Sequence, residues 1–401
     1  MVMDHTFAPN RTYSRTKWTK YVWIMCCSVW MVSVLRYFHS EGTTIPDPRA
    51  SSRGHLGKAP KNGEWYDLLC PRYRLQKMTE PTQLNWLPPN EDTIVFTQTS
   101  CGLNFNGRQA CAVESAARHH PHQLVTVFVT GPLVDWSHPL IKILTNLDNV
   151  LFSWLDLDDL FSDSPLQHWY QEKLWLINEE HQSAFISDAS RAEILRKYGG
   201  TYMDLDALTL RPLPNRTNYL GRVDSQRITG AIMSLVKGHP LSHILAKSIP
   251  EVYKPFQADS IGPALVNSAL RELCPGNLTS STFSRRLSNT SSDNEVSAYL
   301  EDTSPYFQSP EMCSDLTIYP EKMFYPIGYH HYTGERALLF KRGRGYGEKF
   351  LRASKAFSLH LYNSLTWMEK VVSGGDSILE EAMRRNCPSV HQYMEENVGL
   401  L

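Results

Sequence analysis

Two aspartates separated by one leucine, Asp204 and Asp206, are the residues of this sequence best suited to carry chemistry. They follow a double glycine and the short run TYM, a composition typical of a strand. Because side chains alternate along a strand, both carboxylates are predicted to point to one face. Two carboxylates on one face form a hard oxygen site that suits Mn²⁺ or Mg²⁺ and leaves positions open for substrate phosphates.

The same three letters occur a second time, at Asp156, Leu157 and Asp158. A chain of this length is expected to hold about one Asp-x-Asp by chance at average use of charged residues. This copy follows an apolar run and is predicted to lie at a strand exit or in a first helical turn, where carboxylates favour the helix dipole. We therefore expect only Asp204 and Asp206 to bind a metal.

Alternating strands and helices are predicted to position the acidic pair. A helix is predicted from residue 107 until Pro121 stops it, and strands are predicted over residues 93–100, 123–131, 149–155, 183–187 and 201–206. The alternation predicts an α/β fold with a mostly parallel central sheet. Sheets of this kind bind ligands at the carboxyl ends of their strands, and Asp204 and Asp206 fall at such an end.

The helix that feeds the acidic pair is predicted over residues 189–198, with Ser187 or Asp188 as its N-cap and the double glycine as its end. Asp188 and Arg191 are one turn apart on this helix. They could present an acceptor and a cation to a bound sugar or diphosphate. Alternatively, Asp188 is only a cap and Arg191 a solvated charge, and spacing alone leaves both interpretations open.

The charge balance argues against a nucleic-acid partner, because the 401 residues include 40 basic and 41 acidic ones and the chain has no excess of positive charge. The sequence has no P-loop, no Gly-x-Gly-x-x-Gly after a strand and no His and Cys cluster at zinc spacing. A nucleotide-type fold with a metal pair but no phosphate cradle indicates nucleotide-sugar chemistry. The alternative is a lumenal calcium-binding or glycan-binding module without catalysis.

The N-terminal region predicts a membrane anchor. A basic tail over residues 1–20 precedes an apolar segment at 21–38, which predicts a type II signal anchor with the N-terminus in the cytosol. A cleaved signal peptide is disfavoured because no small-x-small site follows. Residues 39–89 are predicted to form a stem, and residues 90–401 a lumenal domain.

Cysteines and glycosylation sequons agree with an oxidising lumen. Six cysteines outside the anchor allow 15 disulfide pairings, which the sequence does not resolve. They are Cys70, Cys101, Cys111, Cys274, Cys313 and Cys387. The predicted glycosylation sites are Asn215, Asn277 and Asn289.

Four blocks of the chain resemble the α1,4-glycosyltransferases. They are CAVESAARHHPHQLVTVFVTG, NLDNVLFSWLDLDDLFSDSPLQHWY, SDASRAEILRKYGGTYMDLDALTLRPL and FSLHLYNS, within roughly residues 90–370. The resemblance implies a GT-A-like fold, with an Asp-x-Asp half at about 90–215 and a C-terminal half at about 216–370. It also implies a Golgi type II membrane enzyme that uses a UDP-sugar and Mn²⁺, or Mg²⁺, and makes an α linkage with retention.

The same resemblance assigns roles to individual residues. Asp206 matches the carboxylate that binds the metal directly, and Asp204 the one that reaches the metal shell or the donor's ribose and sugar. Asp188 and Arg191 match positions that hold the donor sugar.

Two further groups follow from the resemblance. Thr97, Thr99 and Ser100, at the end of the first strand, match positions that meet the uridine. His360 and Asn363, in the segment HLYN, match positions that close over metal or diphosphate. A core or surface histidine remains the alternative for His360.

The chain departs from the family pattern at three places. Leu205 stands where threonine is frequent, Thr229 begins a Thr-Gly-Ala block where Asn-Gly-Ala is frequent, and Ile261 precedes Gly262 in a run expected to be more polar. These departures leave the donor sugar open among galactose, N-acetylgalactosamine and N-acetylglucosamine, with the first two favoured.

The resemblance predicts transfer of galactose or N-acetylgalactosamine from a UDP-sugar to a terminal sugar of a glycosphingolipid. The alternative is an α1,4-N-acetylglucosaminyltransferase acting on O-glycans. Retention requires either a carboxylate nucleophile, for which Glu114 and Asp259 are the candidates, or departure and attack on the same face. We expect the same-face route.

Overall fold

A computed structural model of the chain describes residue 69 and residues 81–100, 105–131, 133–224, 226–275, 310–328, 335–343 and 345–399. The predicted tail, anchor and most of the predicted stem lie outside this part of the chain. Among the described residues, no helix combines the length and apolar character needed to cross a membrane.

Twelve strands are present in the described part of the chain. They are β1 (Pro81–Gln83), β2 (Ile94–Gln98), β3 (Val125–Val129), β4 (Leu133–Asp135), β5 (Val150–Trp154), β6 (Gly200–Met203), β7 (Ala207–Thr209), β8 (Tyr219–Arg222), β9 (Ile228–Leu235), β10 (Glu311–Cys313), β11 (Leu316–Tyr319) and β12 (Ser358–His360). Eight of them form one sheet in the order β10-β11-β8-β9-β6-β2-β3-β5. Four of its seven pairings are parallel, which confirms the predicted mostly parallel sheet.

Twelve α-helices surround these strands in the described part of the chain. They are α1 (Gly107–His119), α2 (Pro139–Thr145), α3 (Leu157–Leu160), α4 (Gln167–Gln171), α5 (Gln182–Tyr198), α6 (Pro240–Val252), α7 (Pro263–Leu273), α8 (Glu321–Phe324), α9 (Tyr346–Ala353), α10 (Asn363–Thr366), α11 (Ile378–Asn386) and α12 (Pro388–Asn397). Two 3₁₀ helices span Leu174–Leu176 and Glu335–Leu339.

The central strands are buried on both faces. Along β2, Ile94 and Phe96 join the apolar core that contains α1, whereas Val95 joins the opposite core that contains α5. A strand covered on both faces needs a continuous apolar run, which explains why β2 and β3 read IVFTQ and VTVFV. The sheet is therefore covered by helices on both sides, as the α/β prediction requires.

The predicted strand at residues 183–187 is wrong. These residues lie in the first turns of α5, which begins at Gln182 with His181 as its N-cap rather than Ser187 or Asp188. Phe185, Ile186 and Ala189 are buried at helical spacing, so packing against the sheet decides the local structure. The helix ends as predicted at Gly199, where φ is +73°.

The folded region begins before residue 90. β1 pairs with β4, and the backbone N–H of Leu87 donates to the Ser153 hydroxyl at 3.0 Å. Residues 81–89 belong to the predicted stem, and these contacts connect them to β4 and β5.

The C-terminal part of the chain returns to the first half. β12 pairs antiparallel with β7, and the Cys111–Cys387 disulfide joins α1 to the residue between α11 and α12. A second disulfide joins Cys274 to Cys313, whereas Cys70 and Cys101 lie outside the described residues. Of the predicted sequons, Asn215 is exposed; Asn277 and Asn289 lie outside the described part.

Candidate active site

The acidic pair lies in the turn between β6 and β7, not within a strand. The backbone N–H of Asp204 donates to Ala231 O at 2.8 Å, and that of Ala207 donates to Asp204 O at 3.0 Å. The predicted strand thus ends at Met203. The two carboxylates nevertheless approach a common point, because the turn brings them together in place of strand alternation.

His360, from the C-terminal half of the chain, lies beside the two carboxylates. Its register partner across β12 and β7 is Ala207, the residue that follows Asp206. His360 Nε2 lies 3.3 Å from Asp206 Oδ1 and 3.8 Å from Asp204 Oδ2. One ligand atom from each of the three residues lies within 4.8 Å of the other two. We call Asp204, Asp206 and His360 the acidic triad.

The acidic triad has the composition of a divalent-metal site. Two carboxylate oxygens and an imidazole nitrogen suit Mn²⁺, and neighbouring ligands of an octahedral ion at about 2.1 Å are about 3 Å apart.

The tautomer of His360 decides whether its ring can bind the metal directly. Its Nδ1 accepts from the N–H of Tyr362 at 3.2 Å, so the neutral ring carries its proton on Nε2. The carboxylates can bind a metal as they stand, whereas His360 must first move that proton.

The segment after β12 fixes Asp206. The backbone N–H of Asn363 donates to Asp206 Oδ2 at 2.7 Å, and that of Leu361 donates to Asp206 O at 2.8 Å. The first bond orients the carboxylate, and the second holds the backbone of Asp206. The Asn363 side chain instead faces Arg108, whose Nη1 lies 3.4 Å from Asn363 Oδ1.

Arg191 links the acidic triad to α5. Its Nη2 donates to Asp204 Oδ1 at 2.8 Å and lies 3.1 Å from Asp188 Oδ1. The guanidinium lies over the Tyr202 ring, 4.4 Å from the centroid. The side chains of Arg191 and Asp188 are only 9% and 14% exposed, so neither is the solvated surface charge of the alternative interpretation.

Burial and neighbouring charges shift the pKa values of this group. Burial raises the pKa of Asp188 to about 6, and the Arg191 charge offsets only part of that effect. Burial acts in the same direction on Asp204, but Arg191 and His360 outweigh it and lower its pKa. Burial would lower the pKa of His360, but the charges of Asp206 and Asp204 raise it. The protein thus favours the ionised form of Asp204.

The three hydroxyl residues after the first strand have different surroundings. Thr97 Oγ1 lies 3.2 Å from Ser187 Oγ and 3.0 Å from the Tyr202 hydroxyl. Thr99 Oγ1 donates to Ser183 O at 2.9 Å. Ser100 is exposed, and its hydroxyl donates to Gln98 Oε1 at 2.8 Å. Thr97 and Thr99 therefore anchor α5 to β2.

Sequence reasoning missed three residues that shape the site. Arg108 binds the segment that carries Asn363, Tyr202 supports Arg191, and the Tyr325 ring lies 5.7 Å from the His360 ring. Tyr202 was identifiable in principle, because it lies only two residues before Asp204 in the sequence. Arg108 and Tyr325 come from distant segments and carry no local signal.

Comparison with known families finds two matching regions. Residues 106–224 match the glycosyltransferase sugar-binding region containing the DXD motif, and they include Asp188, Arg191, Asp204 and Asp206. Residues 300–394 match the alpha 1,4-glycosyltransferase conserved region, which includes β12 and α10. The two halves of the site therefore come from the two matched regions.

Relatives and solved structures are similar to the chain at low identity. Mouse lactosylceramide 4-alpha-galactosyltransferase is 25% identical over 377 residues, which are 92% of this chain and 88% of that protein. Human alpha-1,4-N-acetylglucosaminyltransferase is 28% identical over 314 residues, 75% of this chain and 79% of that protein. The solved structure titled PaToxG Glycosyltransferase is 16% identical, covers 47% of this chain and 71% of its own, and has a TM-score of 0.36. The family matches and relatives confirm the predicted resemblance: this chain carries the DXD-containing sugar-binding region of glycosyltransferases followed by the conserved region of the alpha 1,4-glycosyltransferases.

Proposed function

We propose that this chain is a retaining α1,4-glycosyltransferase with a GT-A-like catalytic domain. It transfers galactose or N-acetylgalactosamine from a UDP-sugar to a terminal sugar of a glycosphingolipid. The observation that carries the proposal is the acidic triad with Arg191 beside it, in a chain that matches both family regions. We further propose that the enzyme is a Golgi type II membrane protein, with residues 21–38 as its anchor.

The residues of the site divide into two groups by what they can hold. Asp204 and Asp206, with His360 as a third ligand, would hold Mn²⁺ or Mg²⁺. Such an ion supplies neutralising charge for a diphosphate leaving group. Asp188 would hold the donor sugar, and Arg191, which bonds to both Asp188 and Asp204, would contact the sugar and the diphosphate. The backbone N–H of Asn363 would keep Asp206 oriented as the donor binds. Thr97, Thr99 and Ser100 remain the residues proposed to meet the uridine.

The surroundings of the two candidate nucleophiles favour the same-face route. Both carboxylate oxygens of Glu114 accept from backbone N–H groups at the start of α12, those of Ser389 and Val390, and Arg118 also donates to it. Asp259 is exposed on the loop before α7. In the same-face route, the bond from the anomeric carbon to the diphosphate oxygen breaks as the acceptor oxygen attacks. The acceptor proton passes to the departing diphosphate, so no protein carboxylate is required.

Two alternatives differ in donor or in class. An α1,4-N-acetylglucosaminyltransferase acting on O-glycans would use the same acidic triad, and the human relative of that name motivates it. A non-catalytic lumenal binding module would use the acidic triad only to hold a cation.

Transfer assays with the full chain in detergent distinguish these possibilities. Each UDP-sugar is incubated with lactosylceramide or with an N-acetylhexosamine-terminated glycolipid or O-glycan, in Mn²⁺ or in EDTA. We expect transfer from one galactose-type donor to the glycolipid, and loss of transfer in EDTA. Transfer only from UDP-N-acetylglucosamine would support the first alternative. Cation binding without transfer or donor hydrolysis would support the second.

A further inference from the structure

Two glycines from separate elements contact the Asp188–Arg191 pair. A methyl group built on Gly230, in β9, would lie 2.8 Å from Arg191 Nη1 and 3.4 Å from its Cδ. A methyl group built on Gly262, the N-cap of α7, would lie 2.8 Å from Asp188 Oδ2. Both glycines are buried. The ion pair thus occupies space that any larger residue at either position would take.

The ion pair has little freedom to move away from an added methyl group. Arg191 is held by Asp204 at 2.8 Å and by Asp188 at 3.1 Å, and it lies against the Tyr202 ring. A shift of Arg191 away from Gly230 must disturb these contacts. A rotation of Asp188 away from Gly262 must disturb its ion pair with Arg191, whereas Arg191 keeps Asp204 as a second partner.

Gly230 also lies where the backbone supports the acidic turn. The β8–β9 pairing is irregular here, and the next residue, Ala231, accepts the backbone N–H of Asp204. The departures from the family pattern, at Thr229 and Ile261, are the residues directly before these two glycines. Gly230 and Gly262, rather than Thr229 and Ile261, are therefore the positions that we place against the Asp188–Arg191 pair.

We infer that Gly230 and Gly262 are positioning residues that aim Arg191 and Asp188 at two different parts of the donor. This inference rests on the proposed function. Gly230 acts through Arg191 on Asp204, and so on the metal-bound diphosphate of the nucleotide. Gly262 acts through Asp188 on the hexose, and so on the choice between sugars that differ at one substituent.

The two positions predict opposite binding signatures. In Gly230→Ala, the affinity for UDP with Mn²⁺ falls about tenfold, which corresponds to about 1.4 kcal/mol, and the preference between UDP-galactose and UDP-N-acetylgalactosamine stays the same. In Gly262→Ala, the affinity for UDP with Mn²⁺ is unchanged. The ratio of the two UDP-sugar affinities changes by about tenfold.

Titration calorimetry of the full chain in detergent measures these affinities. Gly107→Ala is the matched control, because its methyl group would also lie 2.9 Å from a side chain, that of Met394, which is unbranched and flexible. We expect this variant to bind UDP and both UDP-sugars as the wild type does. The thermal midpoint of every variant checks that reduced affinity does not simply reflect unfolded protein.

A double-mutant cycle tests whether Gly230 acts through Arg191. Lysine at position 191 has no Nη1 atom to meet the added methyl group, so Gly230→Ala should reduce the affinity for UDP less in Arg191→Lys than in the wild type. Equal reductions in both backgrounds would show that the glycine acts through another neighbour and would overturn the inference for Gly230. Unchanged sugar preference in a folded Gly262→Ala variant would overturn it for Gly262.

Failure of the proposed function gives a different result. If the wild type bound no UDP-sugar, the proposed function would be wrong. The same double-mutant cycle, measured by the thermal midpoints of the variants, would then still test whether Gly230 acts through Arg191. If the midpoint shifts of the two single variants simply added in the double variant, the inference for Gly230 would be rejected as well.

Discussion

The two Asp-Leu-Asp tripeptides of this chain have the same sequence but different structural surroundings. Asp156 is the N-cap of α3, and its Oδ1 accepts the backbone N–H groups of Asp158 and Asp159 at 3.1 and 3.2 Å. Asp158 Oδ1 accepts the Tyr170 hydroxyl at 2.6 Å. All three donors lie within fifteen residues of Asp156, so this copy is occupied by local structure.

The second tripeptide has a nearby partner on α5 and also partners from the C-terminal half of the chain. Asp204 binds Arg191, and Asp206 faces His360 and the N–H of Asn363, about 150 residues later. The difference shows that a carboxylate pair becomes a candidate metal site through the groups that surround it. The tripeptide alone does not specify the site.

The largest expected effect comes from Asp206→Asn. The amide still offers an oxygen to the N–H of Asn363, so the fold should persist, but one negative charge of the acidic triad is lost. We expect kcat/KM to fall by about 10³-fold or more, since a catalytic metal contributes several kcal/mol. The matched variant Asp158→Asn in the other tripeptide should transfer sugar at the wild-type rate. Equal losses in both variants would end the distinction between the tripeptides.

Arg108→Ala should give the next largest effect. Arg108 is buried and donates to Thr366 O at 2.8 Å and to Glu369 O, so it holds the segment that carries Asn363. Its loss leaves buried acceptors without a partner, which should lower the free energy of unfolding by about 2 kcal/mol. We also expect a higher KM for the donor.

Arg118→Ala provides the control for Arg108 on the same helix. Arg118 pairs with Glu114, which also accepts from two backbone N–H groups, and within the described chain it does not contact the segment that carries Asn363, so its loss should leave the KM for the donor unchanged. Urea unfolding and donor kinetics measure both variants. A KM change in Arg118→Ala equal to that in Arg108→Ala would contradict the positioning role of Arg108.

Asp156→Ala tests the local tripeptide by itself. Removal of the N-cap of α3 should lower the free energy of unfolding by about 1 kcal/mol without changing kcat or KM. Asp156→Asn retains a capping oxygen and should restore the stability. If the Asp156→Ala variant were as fully folded as the wild type but had a lower kcat/KM, this tripeptide would also contribute to the active site.

Asp188 predicts a pH dependence of the free energy of unfolding. Its pKa is raised from 3.8 to about 6 by burial, so the folded state binds the proton more tightly than the unfolded state does. This group therefore lowers stability as the pH rises from about 4 to about 6. In Asp188→Asn that contribution should vanish. Urea unfolding across this range should show the wild type losing stability relative to the variant, and parallel curves would contradict the assignment.

The α/β core was predictable because its signals are local. The apolar runs of β2, β3 and β5 and the glycine after α5 indicated their structures correctly. The run SAFIS was misassigned because five residues do not reveal whether their period is two or 3.6. Packing of these residues against the sheet favours the helical conformation.

The candidate site was predictable only in part. Asp204 and Asp206 followed from residue type and spacing, whereas Asp188, Arg191, His360 and Asn363 gained their roles from the family resemblance. Arg108, Tyr202 and Tyr325 were missed. Arg108 and Tyr325 contact the site only after the C-terminal half packs against α1 and β7, and pairing over such sequence distances leaves no local pattern.

The sequence by itself determined the alternation of strands and helices, the acidic pair at the end of β6, and the cysteines available for pairing. These features follow from periodicity, backbone preference and side-chain chemistry, which act over a few residues. Only the tertiary structure decided that β12 brings His360 to Asp206 and that two glycines leave room for Asp188 and Arg191. Those contacts depend on strand register and side-chain packing between distant segments, which no short stretch of the chain encodes.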